Sequence, residues 1–277
     1  MHLPLVSIII PTRNSAQFLG ACLTSIINQT YKNIEMIVVD NNSTDKTKEI
    51  AKKYTKNIFN IGPERSAQRN LGAKSAKGEY FLFIDSDMEL TPKVIEECVK
   101  SIQSEKGTSA LVIPEKSIGI GFWAKCKALE KSFYIGITWI EAARFFLKDS
   151  YLEVGGYDES LVSGEDWDIS QKIKKMGKIG RISEFILHNK GHLTLRKILI
   201  KKYYYSQKFS NYLNKHRFTK RTNPQINILF RYNLFFSQPK KLFKNPLRGL
   251  GMLIMKTCEF CFGGAGYVIE KLKKYEK

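Results

Sequence analysis

From Tyr80 to Ile84 the chain reads Tyr-Phe-Leu-Phe-Ile without a polar interruption, and it then sets two carboxylates one residue apart in Asp85-Ser86-Asp87. A continuous aromatic and branched run of this length predicts an interior strand of a mostly parallel sheet covered on both faces. Ligands of such sheets bind beyond the carboxyl ends of the strands, so the carboxylates stand where a ligand is expected. Hard oxygens at that edge suit Mg²⁺ or Mn²⁺, usually completed by nucleotide phosphates rather than by an all-protein cage. An isolated Asp-x-Asp is also a common polar turn, and the tripeptide alone does not separate the two uses.

The surrounding pattern alternates strand and helix. Val6–Ile10 predicts a strand that ends at a turn begun by Pro11. Phe18, Leu19, Cys22, Leu23, Ile26 and Ile27 then form one apolar helix face, with Ser15 placed to cap it. Ile34–Val39 predicts the next strand, followed by a helix that Ser43 or Thr44 can cap, and Thr91-Pro92 opens another helix after the acidic pair. This rhythm implies right-handed crossovers and a doubly wound, Rossmann-like α/β sheet. Asp40 falls directly after the second strand, where a carboxylate accepts hydrogen bonds from a base or ribose, or caps the next helix.

Four stretches fit together in order: Val6-Ser7-Ile8-Ile9-Ile10-Pro11-Thr12-Arg13-Asn14; Ile37-Val38-Val39-Asp40-Asn41-Asn42-Ser43-Thr44-Asp45; Ala67-Gln68-Arg69-Asn70-Leu71-Gly72 with Ala76-Lys77-Gly78; and Asp85-Ser86-Asp87. Together they resemble the nucleotide-binding half of an inverting family 2 glycosyltransferase of the GT-A fold, and Gly164-Glu165-Asp166 extends the likeness to about residue 195. The resemblance implies a nucleotide-diphosphate sugar donor, UDP- or GDP-linked, a glycan or lipid-linked acceptor with a hydroxyl group, and a divalent cation, Mg²⁺ or Mn²⁺. It implies that Pro11, Thr12 and Asn14 line the nucleoside pocket, that Asp40 reads the nucleobase and that Arg69 contacts the nucleotide. Asp85 is expected to reach the ribose or a metal-bound water, and Asp87 the metal directly. His188, expected at the end of a strand from Lys178 to Leu187, is expected to complete the metal or touch the diphosphate; Arg65 and His192 are neighbouring candidates.

Inverting transfer needs a base for the acceptor hydroxyl, and a carboxylate at a helix N-terminus is stabilised as the anion that a base must be. By resemblance that base is Asp166, with Glu165 supporting it or gripping the acceptor. Two other readings stay open. A sugar nucleotidyltransferase shares the sheet and the acidic metal site, but calls for a glycine-rich, Arg-containing loop where this chain has Pro11-Thr12-Arg13-Asn14. A noncatalytic nucleotide-sugar-binding module is expected to lack one of Asp87, Asp166 or Arg69, and all three are present.

The formal charge of +19 belongs to the tail. Residues 191–277 carry 19 Lys and Arg against 3 Asp and Glu, a net of +16, while residues 1–190 carry 26 against 23. The expected organisation is therefore a GT-A domain over residues 1–195, with a nucleotide-binding half at 1–90 and an acceptor and catalytic half at 91–195. A basic, partly amphipathic helical extension over 196–277 follows. From Leu195 to Arg221 the cations interleave with Tyr203, Tyr204, Tyr205, Phe209 and Tyr212, a pattern suited to an anionic membrane surface. No recognised nucleic-acid module accompanies the charge, so nucleic acid is not expected as a partner. Leu247–Ile269 is apolar but interrupted by Arg248, Lys256 and Glu259, which predicts an interfacial or re-entrant segment loosened by Gly263, Gly264 and Gly266. Five scattered cysteines and the lack of a basic leader predict a cytoplasmic protein, peripherally attached to the cytoplasmic face of a membrane.

Overall fold

The computed structural model describes residues 3–216 and 227–275; the basic residues Arg217, Lys220 and Arg221 lie outside them. The chain runs β1 (Val6–Thr12), α1 (Ala16–Ile27), β2 (Ile34–Asp40), α2 (Thr47–Lys52), β3 (Ile58–Asn60), α3 (Arg65–Ser75), β4 (Tyr80–Phe83), β5 (Met88–Leu90), α4 (Val94–Ser104), β6 (Thr108–Val112) and β7 (Glu115–Ile120). It continues through α5 (Phe122–Ser132), β8 (Phe145–Leu147), α6 (Lys148–Glu153), α7 (Glu165–Lys174), β9 (Lys178–Arg181), β10 (Ile186–His192), α8 (Leu195–Lys215), α9 (Ile228–Phe236), α10 (Pro239–Leu242) and α11 (Pro246–Tyr275). Two compact units result, one of residues 1–115, 141–159 and 165–189, the other of residues 116–140, 160–164 and 190–277.

The first unit is built on a seven-stranded sheet in the order β3-β2-β1-β4-β8-β6-β9. Its pairings are parallel except for β8, which runs antiparallel to both neighbours. Both faces are covered, which is why its central strands show no polar alternation. Val6, Ile8, Ile10, Val38 and Leu82 point into one core, and Ile9, Ile37, Val39, Phe81 and Phe83 into the other.

The expected turn at Pro11 begins later: β1 continues through Pro11 to Thr12, paired with Val39 and Asp40. Alternate residues of β1 face opposite neighbours, with the Ile9 carbonyl accepting from Ile84 and the Thr12 carbonyl from Asn41. Pro11 therefore faces the β4 side, where the ladder has already ended at Ile9–Phe83, and its missing N–H breaks no bond.

Gly72 brings α3 down onto this sheet, since a Cβ there would stand 2.4 Å from Ile9 Cγ2. The expected caps are replaced by others. Ser15 precedes α1 without capping it, and Asp45 accepts from the N–H groups of Ala16 and Thr47 instead. Thr91 spends its hydroxyl on Glu184 and the Phe185 carbonyl. The single strand expected over 178–187 is two strands, β9 and β10, because Glu97 binds the Ser183 and Glu184 amides and fixes a turn between them. His188 consequently lies within β10, opposite Met88 of β5.

In the second unit α11 packs against α8 and α5 around Cys126, Phe133, Phe235, Leu242, Met252 and Met255. Pro239 opens α10 and Pro246 opens α11. Gly263, Gly264 and Gly266, expected to loosen the last segment, do not break it: α11 is one unbroken helix of 30 residues. Lys256 and Glu259, which looked like breaks in an apolar run, turn inward and are buried. Lys127 and Glu130 of α5 meet them: Lys256 Nζ lies 2.7 Å from Glu130 and 2.9 Å from Glu259, and Lys127 Nζ 2.6 Å from each of the same two carboxylates. On α8, Tyr212 is buried and Tyr204 exposed.

Candidate active site

Close packing of α3 determines what its motif residues can reach. Gln68 Nε2 donates to the carbonyls of Thr12 and Val39, tying together the ends of β1 and β2. Asp40 closes the same corner from within, accepting from Thr12 Oγ1 at 3.0 Å and from the Ser43 backbone amide at 2.8 Å, with Lys48 Nζ at 3.5 Å. Asn14, at φ 47°, accepts from the Thr44 amide and donates its own amide to Ser43. Pro11 and Thr12 at the end of β1, Asp40 at the end of β2 and Asn14 in the turn after β1 thus form one stitched double turn at the carboxyl edge of the sheet.

Arg69, one residue along α3 from Gln68, is completely buried and reaches under this edge. Its Nη2 donates to Asp85 at 2.9 Å and its Nη1 to Asp166 at 2.8 Å, with Glu165 at 3.7 Å and the Tyr157 ring beneath its guanidinium at 4.8 Å. Arg65, one helical turn earlier, binds Glu165 at 3.0 Å. Sequence neighbours Glu165 and Asp166 begin α7, but only Asp166 keeps substantial side-chain exposure, 29% against 5%. Burial, with the adjacent Asp166 charge, raises the Glu165 carboxyl above its ordinary range despite Arg65 and Arg69. Burial also acts to raise Asp85, but Arg69, then Arg144 and Arg65, outweigh it and hold that carboxyl well below the usual carboxylate range.

Asp87 belongs to a second group. β5 pairs with β10, the Asn189 amide donates to the Asp87 carbonyl at 2.8 Å, and this sets His188 Nε2 3.0 Å from Asp87 Oδ2. His188 Nδ1 faces Glu115 at 3.1 Å, and Glu115 in turn binds Arg144 at 2.7 Å. Arg144 extends to within 3.9 Å of Asp85 and so links the two groups. Neither Arg144 nor Glu115 was singled out by sequence; a lone arginine just before the apolar strand β8 was the available signal.

Among the described residues, no three His, Cys, Asp or Glu side chains are gathered as a self-sufficient metal cage. The donor set still suits a divalent ion completed by phosphates. Asp85, Glu115, Glu165 and Asp166 pair with the guanidiniums of Arg65, Arg69 and Arg144, and Asp87 with His188, so that carboxylates outnumber guanidiniums. The 3.0 Å between Asp87 Oδ2 and His188 Nε2 is also the spacing of neighbouring ligands on an octahedral ion with bonds of about 2.1 Å.

Glycosyl transferase family 2 matches this sequence over residues 7–155, just over half its length and the stretch that holds every strand of the double turn. The chain belongs to that family. An uncharacterized glycosyltransferase of Rickettsia typhi is 31% identical over 210 residues, covering 68% of this chain and 64% of its own. Glycosyltransferase GlyA of Streptococcus pneumoniae is 32% identical over 223 residues, 76% of this chain but 29% of its own. The chain thus spans less than two thirds of these relatives' length. Among solved structures, the Pyrobaculum calidifontis mannosyltransferase PcManGT, in complex with GDP-Man and Mn²⁺, superposes with a TM-score of 0.62 at 15% identity over 99% of this chain and 87% of its own. S. aureus TarS residues 1–349, in complex with UDP-GlcNAc, gives 0.55 at 17% identity over 97% and 92%. This family 2 chain accordingly has the GT-A fold.

Proposed function

We propose that this family 2 chain transfers a sugar, with inversion, from a UDP- or GDP-linked donor to a hydroxyl of a glycan or lipid-linked acceptor, in glycan or glycolipid assembly near a membrane. One observation carries the reading: a single buried guanidinium, Arg69, positions both Asp166 at the start of α7 and Asp85 beyond β4. Asp166 then faces outward as the base that takes the acceptor hydroxyl proton, while the hydroxyl oxygen bonds to the anomeric carbon and the bond to the diphosphate oxygen breaks. Glu165 supports that carboxylate from its buried seat on Arg65.

The double turn of Pro11, Thr12, Asn14 and Asp40 is assigned to the nucleoside. In this assignment Arg69 acts on the nucleotide through Asp85, since both its Nη groups are already taken by carboxylates. Asp87 and His188 would hold Mg²⁺ or Mn²⁺, with Asp85 behind them; such an ion neutralises the departing diphosphate. Residues 1–195 are assigned to catalysis and the basic residues 196–277 to an anionic membrane surface, on the cytoplasmic face.

Calorimetry against UDP and GDP, each with and without Mn²⁺, tests this directly. Selective, Mn²⁺-dependent binding by the wild type, lost in Asp40→Ala and losing its metal dependence in Asp87→Ala, is expected. Absence of binding of either nucleotide by folded wild-type protein would remove the donor assignment and the catalytic roles with it.

A further inference from the structure

α11 departs from an ordinary surface helix: Met252, Met255, Lys256 and Glu259 face inward, and a second row of apolar side chains faces outward. Lys256 and Glu259 are buried against α5, while Leu247, Leu250, Ile254, Phe262, Val268 and Leu272 are between 46% and 69% exposed. Successive steps of three, four, eight, six and four residues, at 3.6 residues per turn, keep these side chains on one face of the helix. At about 1.5 Å per residue the stripe is roughly 38 Å long, far larger than the scattered apolar exposure normal on a soluble surface. Exposed cations flank it, Lys240, Lys244 and Arg248 at one end and Lys271 at the other. In the sequence no acidic residue occurs between Glu184 and Glu259.

We infer that the outward stripe of α11 seats on an anionic bilayer, the helix lying along the surface rather than crossing it. The inference rests on the membrane attachment proposed above and adds which surface makes it. Residues Pro246–Leu272 are long and apolar enough to span, their most apolar 18 consecutive residues having a mean hydropathy of 1.3. Spanning, however, would carry Lys127, Glu130, Lys256 and Glu259 into hydrocarbon together with α5, whereas a one-sided stripe needs lipid on one side alone. The flanking cations select anionic headgroups and repel a second copy of the same positive face.

Co-sedimentation of the full chain with vesicles of equal parts phosphatidylcholine and phosphatidylglycerol tests the inference. Vesicles of phosphatidylcholine alone serve for comparison. The variant Leu250→Gln/Ile254→Gln/Val268→Gln changes exposed positions only, and circular dichroism checks that α11 remains helical. An α8 variant, Ile200→Gln/Tyr204→Ser, removes exposed apolar side chains from another helix of this unit. Binding to the anionic vesicles is expected to weaken on the order of tenfold in the α11 variant and to stay at the wild-type level in the α8 variant. Equal binding by wild type and α11 variant would overturn the stripe and leave membrane attachment standing. Wild type that sediments with neither vesicle would overturn both. A concentration-dependent dimer abolished by the α11 substitutions would reassign the stripe to a second copy and overturn the inference.

Discussion

Arg69 and Asp166, 97 residues apart in the chain, meet at 2.8 Å, and the guanidinium has no exposed surface while the carboxylate keeps 29% of its own. The arginine is fixed and the aspartate is both held and reachable, which is what a proton acceptor requires. Asp166→Asn should lower nucleotide-diphosphate release from a donor sugar by about 10² to 10⁴-fold with the fold retained. Turnover unchanged within twofold would show that the proton leaves by another route.

Glu165 gives a pH signature of opposite sign to that of Asp85. Its carboxyl is raised above its ordinary 4.5, first by burial and then by Asp166. The folded protein therefore takes up this proton more readily than the unfolded chain, so the contribution of Glu165 to stability is complete below the ordinary range and is lost as pH rises through the raised value. Denaturant midpoints of wild type and Glu165→Gln should diverge from about pH 4 upward, the wild type losing ground. Superimposable pH profiles would exclude a raised Glu165. Asp85, held low by Arg69, Arg144 and Arg65 against the effect of burial, contributes above its ordinary value and loses that contribution only as pH falls below it.

Much of this site could be read from the chain, because its motif residues lie at the ends of strands and starts of helices whose periodicity is plain. Asp85 and Asp87 are of that kind, whereas Arg69, mid-way along α3, was marked only by the family resemblance. Arg144 and Glu115 were not legible: they lie 29 residues apart, and Arg144 meets Asp85 only because antiparallel β8 lies beside β4. The buried side of the tail was not legible for a related reason. Lys256 and Glu259 break an apolar run in sequence, but the opposite charges that let them be buried stand on α5, 126 residues from Lys256 in the case of Glu130.

Gly72→Ala places a methyl group within about 2.4 Å of Ile9 Cγ2, on a helix that cannot withdraw without pulling Gln68 and Arg69 from their partners. Overpacking of this kind should cost about 1 to 3 kcal/mol in denaturant unfolding. Nucleotide affinity should fall with it, since the same helix positions the double turn; full stability would mean that Ile9 repacks.

Lys256→Met should destabilise the protein by about 3 to 5 kcal/mol, because Glu130 and Glu259 would then share Lys127 alone. Adding Glu259→Met should recover part of that loss, since one lysine then faces one carboxylate. Equal unfolding midpoints for the single and double variants would show that the four charges are not coupled.

The buried ion cluster makes the carboxyl-terminal helix a supporting beam, not a detachable appendage. Glu130 receives Lys256 and the Tyr134 hydroxyl on one oxygen and Lys127 on the other. A chain shortened before Pro246 would leave that carboxylate short of one cation and strip the cover from Cys126 and Phe133. Anyone seeking a well-behaved soluble version should repaint the outer side of α11 with polar residues and leave the helix in place.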